Sequence, residues 1–526
     1  MTGPGDVRAP ALAEPGNPRT DEAVGSLARR SVSAALVAVA AAAIAAWLFL
    51  AVSHLDDRYG VLHVQGAWMG LAQEANDGVL YPPLSEGGYY GGTRWMPLPI
   101  VLNALAGRIT GEYLTSGKIV GLLLTSGLLV LVFMTLRRIA TPAFLAVALT
   151  GTVVATDPGR IAGTTLGGDV LPVVLQVGAL LAATSTRRKH ALVVAGILAG
   201  LAFASKVTGV WAALALVTWL GVHGRWRDLA RFGGTFGATI VVVLGAVELI
   251  SGGRFSDNML LLTFAGVGGG VGPIRAPNQL LYQLANFGLA VWVLVPFVAA
   301  GFMFARHLRG LSLYHFALGW ALLTLLVIYT DVGAGANQLL DVTVLTVLAA
   351  GHFAGRLDAS ASQRQIAIAL AVAVVWGTGT GVVLDLVPDV RRTVEGAQLG
   401  YPMRPLAGRI DSSEEFLSED PYVPLSLDRK PVVLDPFMLR RLDLADPETV
   451  DDLIGRIERQ EFSYIATIEP LNAEDGPVVA NDTGEQWAND YWWDQFHFGL
   501  RVVTAMRRMY VLEGIVDEYY LYRPAP

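Results

Sequence analysis

His54-Leu55-Asp56-Asp57-Arg58-Tyr59-Gly60 opens the stretch that decides the fold, and it runs on to Trp95 as HLDDRYGVLHVQGAWMGLAQEANDGVLYPPLSEGGYYGGTRW. An apolar block ends at Leu55 and two adjacent carboxylates follow at once. About forty polar, aromatic and Gly/Pro-rich residues then pass before the next long apolar block. The flanking blocks have the length of membrane spans, so the stretch reads as a loop outside the bilayer. Ordering so long a loop costs conformational entropy, and loops of this kind are where sites are built.

Working outward, the 526 residues are 53% hydrophobic and only 16% charged, far too apolar for an ordinary soluble protein. The apolar residues fall in blocks of about 16 to 23, near the length a helix needs to cross a bilayer. They predict about eleven spans, at roughly 33–55, 114–136, 141–156, 169–184, 190–204, 205–222, 233–251, 284–305, 311–330, 338–355 and 365–384. Two short spans in this set meet at Ser205-Lys206.

Basic residues orient these spans. With a cytoplasmic N-terminus, the cytoplasmic connections carry Arg29-Arg30, Arg137-Arg138, Arg187-Arg188-Lys189, Arg225, Arg227, Arg231, Arg306, Arg309, Arg356 and Arg364. The opposite connections carry Arg58, Arg94, Arg108, Lys118, Arg160, Lys206, Arg254 and Arg275, thinly spread. The expectation is a multi-pass protein of a bacterial plasma membrane. Residues 1–30, rich in Pro, Gly and Ala, read as a disordered cytoplasmic terminus, and the apolar block after them as a retained first helix. Residues 31–384 form the transmembrane domain with a first external loop at 56–113, and residues 385–526 lie outside.

Past Asp385 the long apolar runs stop. Pro431–Leu434 and Phe462–Ile468 read as buried strands. Residues 450–460 read as an amphipathic helix with Leu453, Ile454 and Ile457 on one face. A second helix is expected over Trp492–Arg508 and a strand pair over Tyr510–Arg523. This order suggests a small extracytoplasmic α/β domain.

The chain has no cysteine, which excludes thiolate metal sites, disulfides and cysteine nucleophiles. Its eight histidines form no H-E-x-x-H or close pair, so no metal ligand set is read and no cofactor is required. A net charge of −7 leaves no footprint for nucleic acid. Gly266–Gly272 lacks the Lys-Ser/Thr of a phosphate-binding loop, and Asn481-Asp482-Thr483 reads as a surface turn. Tyr491-Trp492-Trp493 fits either sugar stacking or anchoring at the membrane surface. Ionisable residues within or beside spans are functional candidates. Asp56, Asp57, Asp157, Arg160, Asp169, Lys206, Glu248, Asp331 and Asp341 all map near the external ends of spans, which points to a polar cavity at the outer leaflet.

The loop resembles the first external loop of the GT-C superfamily of membrane glycosyltransferases, which includes protein O-mannosyltransferases and lipid A aminoarabinose transferases. The resemblance rests on Asp56-Asp57, on Gly78-Val79-Leu80-Tyr81 followed by Pro82-Pro83-Leu84, and on Met96-Pro97-Leu98-Pro99. Further on, Ser205-Lys206-Val207-Thr208 looks like a Lys-x-Thr element. Gly335-Ala336-Asn337-Gln338-Leu339-Leu340-Asp341 is similar to a G-x-x-x-N-x-L-L-[ED] element. Leu417–Pro421 and Leu434–Phe437 look like features of the tail domain in a bacterial subgroup. Counting back from Tyr81, the register at which many relatives carry an acidic D-E-G triplet lands here on Val64-Gln65-Gly66.

The resemblance implies transfer of a sugar from a polyprenyl-phosphate carrier to a glycan, lipid or protein acceptor at the outer face. Such a reaction needs a general base and cations to stabilise the departing phosphate. Asp56 and Asp57 are the candidate catalytic acids, one working with the other as helper. Arg94 and Lys206 are the candidate cations, and Asp169, Asn337 and Asp341 complete the candidate substrate-binding set. Lys206 has an alternative reading as an ion-pair partner of Asp169 or Glu248. Two other functional classes remain open: a transporter or flippase for a lipid-linked glycan, and a non-catalytic scaffold in envelope assembly.

Overall fold

The computed structural model describes residues 18–60, 63–185, 190–264, 272–305, 307–331, 333–357, 360–396, 406, 409–410, 415–476, 489–516 and 519–526. Arg187-Arg188-Lys189, Arg306, residues 1–17, Gly266–Val271 and Asn481-Asp482-Thr483 lie outside the described residues. The chain begins with a long helix α1 (Pro18–Ser53). The first loop then contains α2 (His63–Asn76) and α3 (Pro97–Thr110) ahead of α4 (Tyr113–Arg138). Helix α3 starts on Pro97, where a missing N–H costs nothing. It ends at Gly111, whose left-handed φ of 78° returns its N–H to the Gly107 carbonyl. Glu112 then caps α4 by accepting from the Leu114 and Thr115 N–H groups.

Next come α5 (Ala143–Val154), α6 (Asp157–Thr164), α7 (Val170–Ala183), α8 (Ala191–Ser205), α9 (Trp211–Val222) and α10 (Trp226–Ser251). They are followed by α11 (Arg254–Phe264), α12 (Gly272–Phe287), α13 (Leu289–Trp292), α14 (Val295–Phe304), α15 (Leu313–Ile328) and α16 (Leu340–Ala354). Helix α17 (Ala361–Gly381) passes through a π-helical turn, Val382–Leu386, into α18 (Val387–Val394). The turn precedes Pro388, which cannot donate back to Leu384. The helix therefore continues through Asp385, where the composition changes. Side chains such as Trp47, Leu128, Leu149, Trp211 and Phe232 build one continuous apolar core between the helices. Helix α10 buries few of its residues, while Val241, Val242, Leu249 and Ile250 stand exposed, an apolar face suited to lipid.

Four described helices are long and apolar enough to cross a membrane: Arg30–Ser53, Tyr113–Arg138, Trp226–Ser251 and Ser362–Val394. A fifth span results if Ala276–Phe287 and Ala290–Phe304, bent by 96°, are counted together. Several of the about eleven expected spans are therefore shorter helices. Helices α5, α7, α8, α9 and α15 have 12, 14, 15, 12 and 16 residues. At 1.5 Å per residue they rise only about 18–24 Å, against about 30 Å of hydrocarbon. Polar turns shorten them: Thr156 caps α6 straight after α5, and α9 begins at Trp211 instead of directly at Ser205.

The C-terminal residues form a four-stranded sheet with helices. In chain order the elements are β1 (Phe416–Ser418), α19 (Tyr422–Leu425), α20 (Pro436–Ala445), α21 (Glu448–Glu458), β2 (Tyr464–Thr467), α22 (Asn489–Gln495), α23 (Leu500–Met509), β3 (Tyr510–Val516) and β4 (Tyr519–Pro524). The strand order is β1-β2-β4-β3. Strands β1 and β2 run parallel with Leu417 opposite Ile465, and β4 is antiparallel to both β2 and β3. The strand within Phe462–Ile468, the amphipathic helix and the terminal strand pair form as the sequence predicts.

Two expectations here are corrected. Pro431–Leu434 is not a strand of the sheet. It makes a single bridge to the first loop, in which the Tyr90 N–H donates to the Val432 carbonyl and the Leu434 N–H to the Tyr90 carbonyl, both at 2.9 Å. The helix over Trp492–Arg508 is split in two, because Phe498 and Gly499 take left-handed φ values of 60° and 89°. Trp493 is fully buried and the Trp492 indole donates to Glu419, so this aromatic run belongs mainly to the core.

Candidate active site

Helix α1 stops at Ser53 and the acid-bearing turn begins. Lys118, on the facing side of α4, is 1% exposed and donates Nζ to the carbonyls of His54, Asp57 and Tyr59 at 2.6, 2.5 and 2.9 Å. Three backbone acceptors on one ammonium hold the turn closed. Asp57 is folded into this knot. Its carboxylate accepts from the His54 ring and, at 2.8 Å, from the Tyr59 N–H, and Lys118 lies 3.5 Å away. Burial works to raise its pKa. The hydrogen bonds from His54 and Tyr59, with the Lys118 charge, outweigh burial and hold it below the usual carboxylate range. Asp56 is exposed and has no side-chain hydrogen bond among the described residues.

The next two side chains leave the turn in other directions. Arg58 is buried with Asp420 and donates to the Tyr519 hydroxyl at 2.5 Å. The Tyr59 hydroxyl donates to Asp389 at 2.5 Å and accepts from Arg160 at 2.7 Å, while Arg160 also pairs with Asp157 at 2.6 Å and with Asp389. Val64-Gln65-Gly66 sits in the first turn of α2, with Gly66 against the Tyr422 backbone.

A second polar cluster forms where helix ends meet. Lys206 follows α8 in extended conformation and reaches Asp169 at 2.6 Å and the Gln338 carboxamide oxygen at 2.7 Å. The second Asp169 oxygen accepts from Asn337 at 2.6 Å. Asp341, in the first turn of α16, accepts from the Trp211 indole at 2.8 Å. Lys206 and Asp169 are 29% and 28% exposed, so the pair opens to solvent on one side. Glu248 is not its partner; it accepts from the Ser256 N–H and hydroxyl instead.

Arg94 stands in a third group. It donates to Asp331 at 2.8 Å, and Arg441 of α20 donates to the same oxygen at 2.8 Å. Both guanidinium groups lie over the Phe437 ring, at 5.3 and 4.9 Å. Burial works to raise the Asp331 pKa, but the two arginine charges hold it below the usual range. Burial, then repulsion from Arg94, brings Arg441 down to about 10. Asn258 fixes the approach to Arg94, accepting from the Thr93 N–H at 2.7 Å and donating to the Pro82 carbonyl at 3.2 Å.

The structure therefore brings Lys206, Asp169 and Asn337 together, with Asp341 held beside them by Trp211. Asp56 and Asp57 stay in one turn, and Arg94 is separate from Lys206. No described hydrogen bond or ion pair joins the acids to Lys206. Residues 157–169 stand between the two clusters: Asp157 and Arg160 join the network of the acid-bearing turn, and Asp169 takes Lys206. Close approach makes this possible. A Cβ on Gly121 would lie 2.1 Å from the Thr165 carbonyl oxygen, and one on Gly168 would lie 1.7 Å from the Trp68 ring. Lys118, His54, Asp389, Gln338 and Arg441 were not among the sequence candidates. Lys118 had a signal, a lysine inside an apolar block, and His54 lies three residues from Asp57, whereas the others meet their partners only through the fold. Among the described residues, no group of three or more His, Cys, Asp or Glu forms a metal site.

No protein-family model matches this chain, and no curated protein matches it in sequence. Among solved structures it is similar to ArnT from Cupriavidus metallidurans in the apo state, with a TM-score of 0.57 and 14% identity over 87% of this chain and 92% of that one. It is similar to the same protein bound to undecaprenyl phosphate, with a TM-score of 0.59 and 14% identity over 92% and 97%. It also resembles the Archaeoglobus fulgidus oligosaccharyltransferase in complex with zinc and sulfate, with a TM-score of 0.51 and 14% identity over 89% and 71%. At this identity the likeness is one of fold. The likeness thus covers the architecture of nearly the whole chain, whose apolar helices fit a multi-pass membrane protein.

Proposed function

We propose that this chain is a membrane glycosyltransferase that takes a sugar from a polyprenyl-phosphate carrier and passes it to an acceptor hydroxyl at the outer face of a bacterial plasma membrane. The observation that carries the reading is its likeness in fold, over 92% of its length, to a structure holding undecaprenyl phosphate. Opposed charges from distant parts of the sequence also gather beside an apolar, lipid-facing bundle. In this reading all eleven apolar segments of the sequence lie within the membrane, the short helices extended by their polar turns, and residues 385–526 stand outside.

Asp56 is the general base. Its carboxylate is open, while Asp57 is occupied with His54, Tyr59 and Lys118 and serves as the helper that shapes the turn. The acceptor oxygen attacks the anomeric carbon as the bond from that carbon to the phosphate oxygen breaks. The hydroxyl proton passes to Asp56, and the polyprenyl phosphate leaves with the bonding electron pair. Arg94 and Lys206 supply positive charge along its path, and Asp169, Asn337 and Asp341 orient the polar part of the donor. No step calls for a metal.

The test uses the purified full chain in vesicles with a panel of undecaprenyl-phosphate sugars carrying a radiolabel. The expected result is label moving from the lipid to an acceptor fraction, with one undecaprenyl phosphate released per sugar. Label that crosses the vesicle wall while still on its lipid would show a flippase instead.

A further inference from the structure

The acid-bearing turn is anchored on three sides, and one anchor lies in the C-terminal residues. Lys118 grips the backbone from α4, and Asp389 with Arg160 grips Tyr59 from the helical bundle. The third anchor is Arg58, adjacent in sequence to Asp57. Its guanidinium enters the C-terminal unit, where Asp420 follows β1 and Tyr519 opens β4. Arg58 and Asp420 side chains are 3% and 1% exposed, and the Tyr519 hydroxyl donates to Asp420 at 2.7 Å. The Tyr422 ring lies 4.8 Å from the guanidinium. Asp420 is in turn set by the Ser418 hydroxyl and by the Tyr422 N–H, which donates to its other oxygen at 3.0 Å. A buried ion pair is a poor source of net stability, but removing one partner leaves the other charge buried and uncompensated.

We propose that Asp420 and Tyr519 are positioning residues for the acids of the first loop, acting through Arg58, so that the C-terminal unit sets the geometry of Asp56 and Asp57. The inference rests on the proposed base role of these acids only for its effect on rate; its geometric content stands apart from that role. The acid-bearing turn of the first loop is therefore fixed from a part of the chain 362 residues further on.

Because the chain has no cysteine, a single Asp56→Cys in the full-length protein accepts one spin label. With Asp420→Asn, the label should gain a mobile component absent from the parent spectrum, while a label at Leu123, on the exposed face of α4, stays unchanged. If Asp420→Asn does not accumulate, Tyr519→Phe keeps the ring, removes one partner, and should give a smaller change of the same kind. In the Asp56 protein, with a donor found active in the panel above, Asp420→Asn should lower kcat on the order of 10–100-fold with KM for the donor kept, and Asp420→Glu should recover part of it. An unchanged label at position 56 in the variants that fold would overturn the proposal, whether or not any donor is turned over. A silent donor panel with a mobilised label would instead count against the glycosyltransferase reading and leave the positioning in place.

Discussion

Adjacent side chains project to different sides of the backbone, and Asp56 and Asp57 show the consequence. A general base needs a free lone pair at neutral pH. Asp57 has spent its oxygens on His54 and the Tyr59 N–H, whereas Asp56 keeps its own exposed. Asp56→Asn is therefore expected to cut transfer by about 10²–10⁴ with the melting temperature unchanged. Asp57→Asn should lower both rate and melting temperature, since the amide cannot hold His54 and Lys118 as the charge does. The Asp57 pKa is depressed, so its contribution to stability is present above the ordinary carboxylate pKa and lost as pH falls through the lower folded value. The melting-temperature gap between wild type and Asp57→Asn should accordingly close on acidification below about pH 4. Equal melting temperatures at pH 7 would remove the anchoring role from Asp57.

At the scale of elements, the lysine cluster exists because α7, α8, α9 and α16 all begin or end at one level of the bundle. Asp169 precedes α7, Lys206 follows α8, Trp211 starts α9 and Asp341 lies in the first turn of α16. Short helices with polar ends expose backbone groups that need partners, and the same ends collect the charged side chains. Because the Lys206–Asp169 pair is partly open to solvent, Lys206→Met should cost on the order of 1 kcal/mol in stability, much of it recovered by adding Asp169→Asn. Transfer should stay lost in the double variant, as measured by release of undecaprenyl phosphate. Full transfer in that variant would make the pair a purely structural clasp.

Over the whole molecule, the first loop, both polar clusters and the C-terminal unit share one end of the helical bundle. At other helix ends Arg138 donates to the Thr184 carbonyl, and His223 meets the Arg309 carbonyl. The proposed topology, which follows the positive-inside rule, has the C-terminal unit outside. Single cysteines at Ala445, exposed at the end of α20, and at Arg227, exposed at the start of α10, provide the check. An impermeant maleimide on intact cells should label Ala445→Cys at once and Arg227→Cys only after permeabilisation. The reverse pattern would invert the topology and with it the proposed choice of lipid donor.

By itself the sequence determined the membrane class, the order of apolar segments, the loop that begins at Asp56 and the terminal strand pair, and it offered Asp169 and Glu248 as alternative partners of Lys206. These are legible because hydropathy blocks and alternation are local, and because a lysine between apolar spans needs a counter-charge or a polar cavity; the structure chose Asp169. The sequence also singled out Asn337 and Asp341, through a motif at a span start. Only the tertiary structure decided that Asp57 is bound up while Asp56 is free, that Arg94 belongs with Asp331 and Arg441, and that Pro431–Leu434 pairs with the first loop. Arg94 meets Asp331 across 237 residues and Lys118 meets the Asp57 turn across 61, and adjacent residues with the same chemistry carry no local mark of which direction the fold will turn them. Where the helices break within the apolar segments was not legible for a related reason: hydropathy measures how apolar a segment is, not where polar caps interrupt its helix.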